Sequence, residues 1–321
     1  MSTNTDKQTR FNFDFVGKAP LFGAISLILT VASLIYLAMG GIHYGIDFAG
    51  GTEVQVKFEK ELPIAELRNK VEDLHLLNPS IQTLQADSGS EYVIRFQIPE
   101  GKDEKEINER QNAAVASLRT ALEGDFKAYE PDIRRVDSVG PQVGAELKRN
   151  GLLAVFYSLL VILIYISLRF DYKYAPGAVI TLAHDAIITL ALYMLMGKEM
   201  NISVLAALLT LIGYSLNDTI VVFDRIREVS ATSKGAESKA IVNRSINEML
   251  GRTMITAVTT IVATGFLWWF ADGDVADIAF ILCAGTVFGT YSSVYVAAPI
   301  MMLMEKVNLA PRPTSSNQAR A

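Results

Sequence analysis

The sequence predicts an α-helical polytopic membrane protein of six transmembrane helices, with a ferredoxin-like α+β extracytoplasmic domain between helices 1 and 2. Three observations predict it. Half of the 321 residues are hydrophobic and the mean hydropathy is +0.28, high for a soluble protein. Charged residues make up only 20% and are clustered. Several windows of about 20 residues are therefore nearly uncharged, the length that crosses a hydrocarbon core ~30 Å thick. A polar stretch of about a hundred residues interrupts the apolar runs after the first one. Composition also excludes some classes. A single cysteine, Cys283, leaves no intrachain disulfide framework or cysteine-cluster metal site. A net charge of −5 argues against nucleic-acid binding.

In chain order, residues 1–19 are a polar segment carrying Lys7, Arg10 and Lys18, and the first span covers 20–41. Its apolar run is too long for the core of a cleaved signal peptide, and no Ala-x-Ala site follows, so it reads as a retained helix. Residues 42–148 are polar, with 20 acidic and 13 basic side chains. Within them, 52–58 alternate as a half-buried strand does. Pro63 opens a helical pattern through Ile64, Leu67, Val71 and Leu74. Residues 80–86 and 91–98 read as strands, 103–123 as a helix and 125–137 as a last strand. The order β-α-β-β-α-β is the split βαβ arrangement, which hosts many functions and identifies none. Gly50-Gly51, ahead of the first strand, suits a tight turn leaving the membrane better than a ligand loop.

Residues 149–305 hold five further apolar runs, at about 151–170, 175–196, 202–223, 253–271 and 277–304. The last is long enough to tilt or to emerge from the bilayer. Residues 225–251 are charged with an apolar face (Val242, Ile246, Met249, Leu250), which predicts an amphipathic helix on the cytoplasmic surface. Residues 306–321 form a polar tail. Lys and Arg gather at the N-terminus, after the second span (Arg169, Lys173), after the fourth (Arg225, Arg227, Lys234, Lys239, Arg244, Arg252) and in the tail (Lys306, Arg312, Arg320). The alternate loops carry Lys198 with Glu199, and Asp272, Asp274 and Asp277. The bias predicts cytoplasmic termini and an external polar domain, periplasmic in a Gram-negative cell.

Ionisable groups inside spans are costly and mark pathways or polar interiors. The third span holds His184 and Asp185. The fourth holds Ser215, Asn217 and Asp218, with Asp224 and Arg225 at its end. Asp218 lies 16 residues beyond Ile202, ~24 Å along the helix axis, on the cytoplasmic side of the midplane. Desolvation disfavours the charged form of a carboxylate, so an unpaired one there suits proton uptake and release. Arg252, at the start of the fifth span, is the nearby basic candidate to oppose it, and making or breaking that pair would be a two-state switch. Thr256, Thr259 and Thr260 continue one face above Arg252. Blander readings stand beside these: interfacial charges for Asp224 and Arg225, a snorkelling side chain for Arg252, and a hydrogen-bonded packing residue for His184. Gly285 and Gly289, with Ser292 and Ser293 on the same face, read as a helix-packing stripe. Met301, Met302 and Met304 read as interfacial apolar surface rather than a copper site.

Several long motifs then occur in order. Gly45-Ile-Asp-Phe-Ala-Gly-Gly-Thr52 follows the first span, and Val136-Asp-Ser-Val-Gly-Pro-Gln-Val-Gly144 precedes the second. Ala183-His-Asp185 lies in the third, 213–228 closes the fourth and Arg252-Thr-Met-Ile-Thr256 opens the fifth. Together, over about 20–305, they closely resemble the SecF family, the smaller subunits of bacterial SecDF protein-export complexes. The resemblance implies half of a resistance-nodulation-division transporter in the bacterial inner membrane. It implies SecD as the other half, and SecYEG, YajC and a translocating preprotein as partners. It implies no cofactor, with the proton-motive force as energy source. It links Asp218 and Arg252 to proton passage, beside which the polar residues Asp185, His184, Asn217 and Ser215 of the spans complete a candidate pathway, and it makes Gly50, Gly51, Thr52, Gly140, Pro141 and Gly144 structural motif positions. A half-size small-molecule exporter would need a drug-sized apolar cleft in the external domain, which is small and polar. A passive scaffold, with Asp218 merely structural, is the third reading. No nucleophile–base set, nucleotide motif or metal triad points to an enzyme.

Overall fold

The computed structural model describes residues 11–84, 89–97, 104–233 and 236–309. Lys7, Arg10, Lys234, Arg312 and Arg320 of the charge pattern lie outside them, as do residues 85–86, 98 and 103 at the ends of three expected elements. The described residues include six helices long and apolar enough to cross a membrane.

The first helix, α1 (Phe15–Tyr36), starts one turn earlier than its apolar run. Asp14 caps it by accepting from the Gly17 backbone N–H at 2.8 Å. Asn243, far along the chain, accepts from the Phe15 N–H at 2.8 Å. The helix widens to a π turn at Leu37–Gly41 and ends at Gly40, whose φ of +94° suits glycine. A short helix α2 (Ile46–Ala49) leads into the external domain.

That domain contains β1 (Gly51–Phe58), α3 (Ile64–Asp73), β2 (Leu77–Leu84), β3 (Ser90–Gln97), α4 (Glu104–Asp125) and β4 (Pro131–Val139). The four strands pair in the order β2-β3-β1-β4, antiparallel throughout, which is the ferredoxin-like sheet. Val54, Val56, Phe58, Ile94 and Phe96 face a core completed by Leu67 and Val71 of α3 and Leu118 and Leu122 of α4. The last strand begins later than expected. Phe126 is buried against Phe58, a 3₁₀ turn occupies Lys127–Tyr129, and Glu130 takes a left-handed conformation before β4 starts.

The membrane part continues with α5 (Pro141–Arg169), α6 (Ala175–Leu195), α7 (Ile202–Thr232), α8 (Ser238–Phe270) and α9 (Gly273–Ser292). A π turn at Ser293–Ala297 joins α9 to α10 (Ala298–Leu309), so the sixth span bends rather than running straight. Pro299 lies just past the turn, where its missing N–H and its ring disfavour a regular ladder back to Tyr295. Helices α6, α7 and α9 form the buried centre, and α1, α5 and α8 stand outside with long apolar faces.

Two further boundaries differ from those read in the sequence. Helix α5 starts at Pro141, within the stretch assigned to the external domain, because proline at the first helical position is pre-organised for it. Residues 225–251 are not a separate surface helix. They are the end of α7 and the start of α8, folded into a hairpin. Ile226, Val229, Ile241, Val242 and Ile246 join one core with Ile166 and Phe223. The apolar face packs on the bundle instead of on lipid. Arg225 closes the hairpin through Glu248 at 2.5 Å, and Arg244 holds the other carboxylate oxygen at 2.8 Å.

Candidate functional site

The polar residues of the spans gather where α6, α7 and α9 meet. Asp185 on α6 is 1% exposed and has three partners. Its Oδ2 accepts from the hydroxyls of Ser215 on α7 at 2.6 Å and Ser292 on α9 at 2.9 Å. Its Oδ1 lies 2.8 Å from His184 Nδ1. The helices approach this closely because α9 presents glycines. A Cβ at Gly289 would come within 3.1 Å of Ser215 Oγ and 3.5 Å of Asp185 Oδ2, and one at Gly285 would strike Leu211. Ser292 is thus a partner of the carboxylate, a role its place on the small-residue stripe did not announce.

One turn beyond Ser215 on the same buried face lies Asp218, 4% exposed. Its Oδ2 has no hydrogen-bond partner among the described residues, and neither do His184 Nε2, Thr189 Oγ1 and Thr219 Oγ1. Each unmet buried polar atom costs about 1–3 kcal/mol, and such atoms call for a specific explanation. This seam of α6 and α7 has spare hydrogen-bonding capacity in an apolar surround.

Arg252 stands outside the seam. Its side chain is exposed at the start of the apolar part of α8 and makes no ion pair among the described residues. It lines a cleft of about 370 Å³ between α5, α7 and α8, with Arg169, Asp224 and Arg225. The pairing with Asp218 is therefore open in this conformation. Asn217 is turned away from the seam and exposed, one helical turn from the exposed Gly213. The threonine stripe is largely self-satisfied: Thr256, Thr259 and Thr260 donate to carbonyls of their own helix. Thr260 also meets the Tyr214 hydroxyl at 2.9 Å, tying α8 to α7.

The glycine motifs lock to each other rather than around a ligand. Gly50 and Gly51 have φ of +73° and +143°, and a Cβ at Gly50 would lie 2.8 Å from Pro141 Cα. A Cβ at Gly144 would lie 2.9 Å from the Gly50 nitrogen. Gly140 is the N-cap residue of α5 and Pro141 its first residue. Thr52 is buried and its hydroxyl meets that of Ser138 at 3.0 Å.

The external domain is tied to the bundle beside this lock. Asp47 Oδ2 accepts from the Ile202 N–H, at the start of α7, at 2.9 Å. The Gly45 N–H donates to the Met200 carbonyl at 2.9 Å, and the Met200 N–H to the His43 carbonyl at 2.7 Å. Arg95 on β3 binds Glu53 at 2.6 Å and approaches Glu199, in the loop before α7, at 3.6 Å. Burial pulls the Arg95 guanidinium down, but the carboxylates of Glu53 and Glu199 outweigh it and hold the group above its ordinary range. These contacts join residues far apart in the chain and leave no periodic signal in it. Among the described residues, no group of three or more His, Cys, Asp or Glu is placed to hold a metal ion.

Comparison with known proteins fits this architecture. A family profile described as the C-terminal part of the protein export membrane protein SecD/SecF matches residues 120–307, and one for the SecD/SecF GG motif matches 35–61. The protein translocase subunit SecF of Calditerrivibrio nitroreducens is 40% identical over 302 residues, 92% of this chain and 95% of that one. The chain belongs to the SecF family. The SecF subunit of Magnetococcus marinus is 41% identical over 294 residues, covering 92% of each chain. Among solved structures, SecDF of Thermus thermophilus, described as a translocon-associated membrane protein, superposes with a TM-score of 0.80 at 30% identity. It matches 93% of this SecF-family chain, which spans 39% of that SecDF chain. SecDF in a super-membrane-facing form gives a TM-score of 0.67 at 31% identity.

Proposed function

We propose that this SecF-family subunit pairs with a SecD subunit and uses the proton-motive force to promote late export of preproteins through SecYEG. YajC would accompany the pair. In this reading the chain lies in the bacterial inner membrane, with cytoplasmic termini and a periplasmic ferredoxin-like domain. It needs no cofactor and performs no enzymatic reaction. The observation that carries the reading is Asp218, a buried carboxylate whose Oδ2 has no hydrogen-bond partner among the described residues, on the helix that walls the cleft lined by Arg252. A carboxylate so placed can take a proton in one conformation and meet a guanidinium in another. Asp185, already held by two serines and His184, would position α6 against α7 and α9 around it. One charge moved through ~150 mV is worth ~3.5 kcal/mol. That biases a conformational equilibrium a few hundred-fold, provided the two states differ in protonation.

The test is late-stage export in vesicles holding SecYEG and the paired subunits, with a preprotein already partly across and ATP removed. On applying a proton gradient, wild type is expected to complete export. Asp218→Asn is expected to assemble normally and to stall. Equal completion by both would make Asp218 structural and favour the scaffold reading.

A further inference from the structure

Among the described residues, five buried side-chain polar atoms have no hydrogen-bond partner: His184 Nε2, Thr189 Oγ1, Tyr193 Oη, Asp218 Oδ2 and Thr219 Oγ1. All five belong to α6 and α7. A threonine inside a helix commonly gives its hydroxyl to the carbonyl four residues back. Thr181 does so to Gly177, and Thr286 to Leu282, both at 2.7 Å. Thr189 and Thr219, each wholly buried, do not. Asp185, Thr189 and Tyr193 follow one another at intervals of four, so they stand on one face of α6, ~6 Å apart along its axis. At the inner end of this column, Asp185 is bonded to Ser215 of α7. At the outer end, toward the external domain, Tyr193 packs on Phe280 with ring centroids 5.9 Å apart. One turn further out on α9, Asp277 binds Lys198 at 3.1 Å, and both line a polar cavity of about 280 Å³ between the external domain and the bundle.

We propose that Tyr193 and Thr189 are relay residues, forming the outer half of a proton path that runs from this cavity to Asp185 and Asp218. The path presupposes that Asp218 takes up protons, as proposed above, and supplies the route of entry. Unmet buried hydroxyls weigh against the fold, and valine or phenylalanine would fill the same space without that cost. A hydroxyl can accept a proton on a lone pair and release its own. At ~6 Å spacing, one water closes each gap by bonding the groups on either side. Beside Asp185, α9 presents Gly289 and, one turn outward, Gly285, over which Leu211 of α7 lies. A rotamer change of that one leucine makes room for water at the level of Thr189. A proton from the cavity passes Tyr193, a water, Thr189 and a second water to Asp185. Ser215 then turns its hydroxyl and hands it toward Asp218, the acceptor. Only O–H bonds are made and broken, and each relay group returns to its starting state.

The test measures proton uptake into vesicles holding the full chain paired with a SecD subunit, driven by an inside-negative potential and read with an internal pH dye. Wild type is expected to acidify the interior, and Asp218→Asn to stop it. Tyr193→Phe and Thr189→Val each remove a hydroxyl while nearly keeping the side chain's shape. Both are expected to slow uptake at least fivefold, whereas Thr189→Ser should stay within twofold of wild type. Melting in detergent separates a relay from a structural role, because Thr189→Val deletes an unmet hydroxyl and should melt no lower than wild type. Wild-type uptake in Tyr193→Phe and Thr189→Val, with Asp218→Asn blocked, overturns the route and leaves the role of Asp218 standing. Uptake by wild type no faster than in empty vesicles removes the role of Asp218, and the route with it. Uptake lost together with stability in Thr189→Val, and not kept by Thr189→Ser, makes Thr189 structural and also overturns the proposal.

Discussion

Asp218 and Asp185 are both buried carboxylates, yet their surroundings differ in a way that divides their work. Asp185 has all its nearby partners in place, whereas Asp218 has an oxygen to spare. Arg252 carries the complementary charge, is exposed and makes no ion pair among the described residues. Arg252→Ala is expected to abolish proton-driven export in the vesicle assay. Arg252→Lys should keep part of it, because the charge survives while the planar fork is lost. A silent alanine variant would leave Arg252 as a headgroup anchor. The ionisable residues stand out in the sequence because each is expensive in an apolar run. The orientation of Asn217 needs a further step. At 100° per residue it lies some 200° around α7 from Ser215, whereas Asp218 is within about 60° of it. Adjacency in sequence grouped Asn217 with the seam, and helical geometry separates them.

Among the elements, α9 determines how tightly the seam can close. A Cβ at Gly289 would lie 3.1 Å from Ser215 Oγ, tight enough that the neighbour must give way. Gly289→Ala is expected to push α9 from α7 by a few tenths of an ångström, at a cost of about 1–3 kcal/mol. The check is a lower melting temperature in detergent. Gly213→Ala, where a Cβ meets nothing within 4 Å, should be neutral or slightly stabilising. The glycine spacing was legible as packing, but its partner helix was not, since spacing gives a face and not what lies opposite. The hairpin of α7 and α8 shows the same limit. Its 3.6-residue periodicity is plain in the sequence. Whether the apolar side meets lipid or protein depends on Ile166 and Phe223, brought in from other helices.

For the whole molecule, the join between sheet and bundle combines the glycine lock with polar contacts at Asp47, Met200 and Glu199. Arg95 bridges Glu53 within the sheet and Glu199 beside α7. Arg95→Ala is expected to loosen the external domain, seen as faster proteolysis between 42 and 51 with the helical content unchanged. The pH response follows from the direction of the Arg95 shift. A raised group contributes its stability below its unfolded pKa and loses it only as pH rises through the still higher folded one. Both lie far on the alkaline side of that window for an arginine, so the guanidinium contributes no pH dependence to the join between pH 5 and 9. A proteolysis rate for wild type that changes steeply with alkalinity in that window would contradict this. The sequence yielded both domains and the chain order of strands and helices, because periodicity marks each element. The join escaped it, because Asp47, Arg95 and Glu199 look like ordinary surface charges until the fold assembles them.

Helix α7 is an unbroken run of 31 residues, ~46 Å long, gripped at its outer end by Asp47 and carrying Asp218 well down its length. The sixth span, by contrast, is interrupted by a π turn. In the proposed coupling α7 would act as a pushrod, passing a slip at Asp218 along one continuous helix to the Asp47 contact, whereas the sixth span changes course at its π turn.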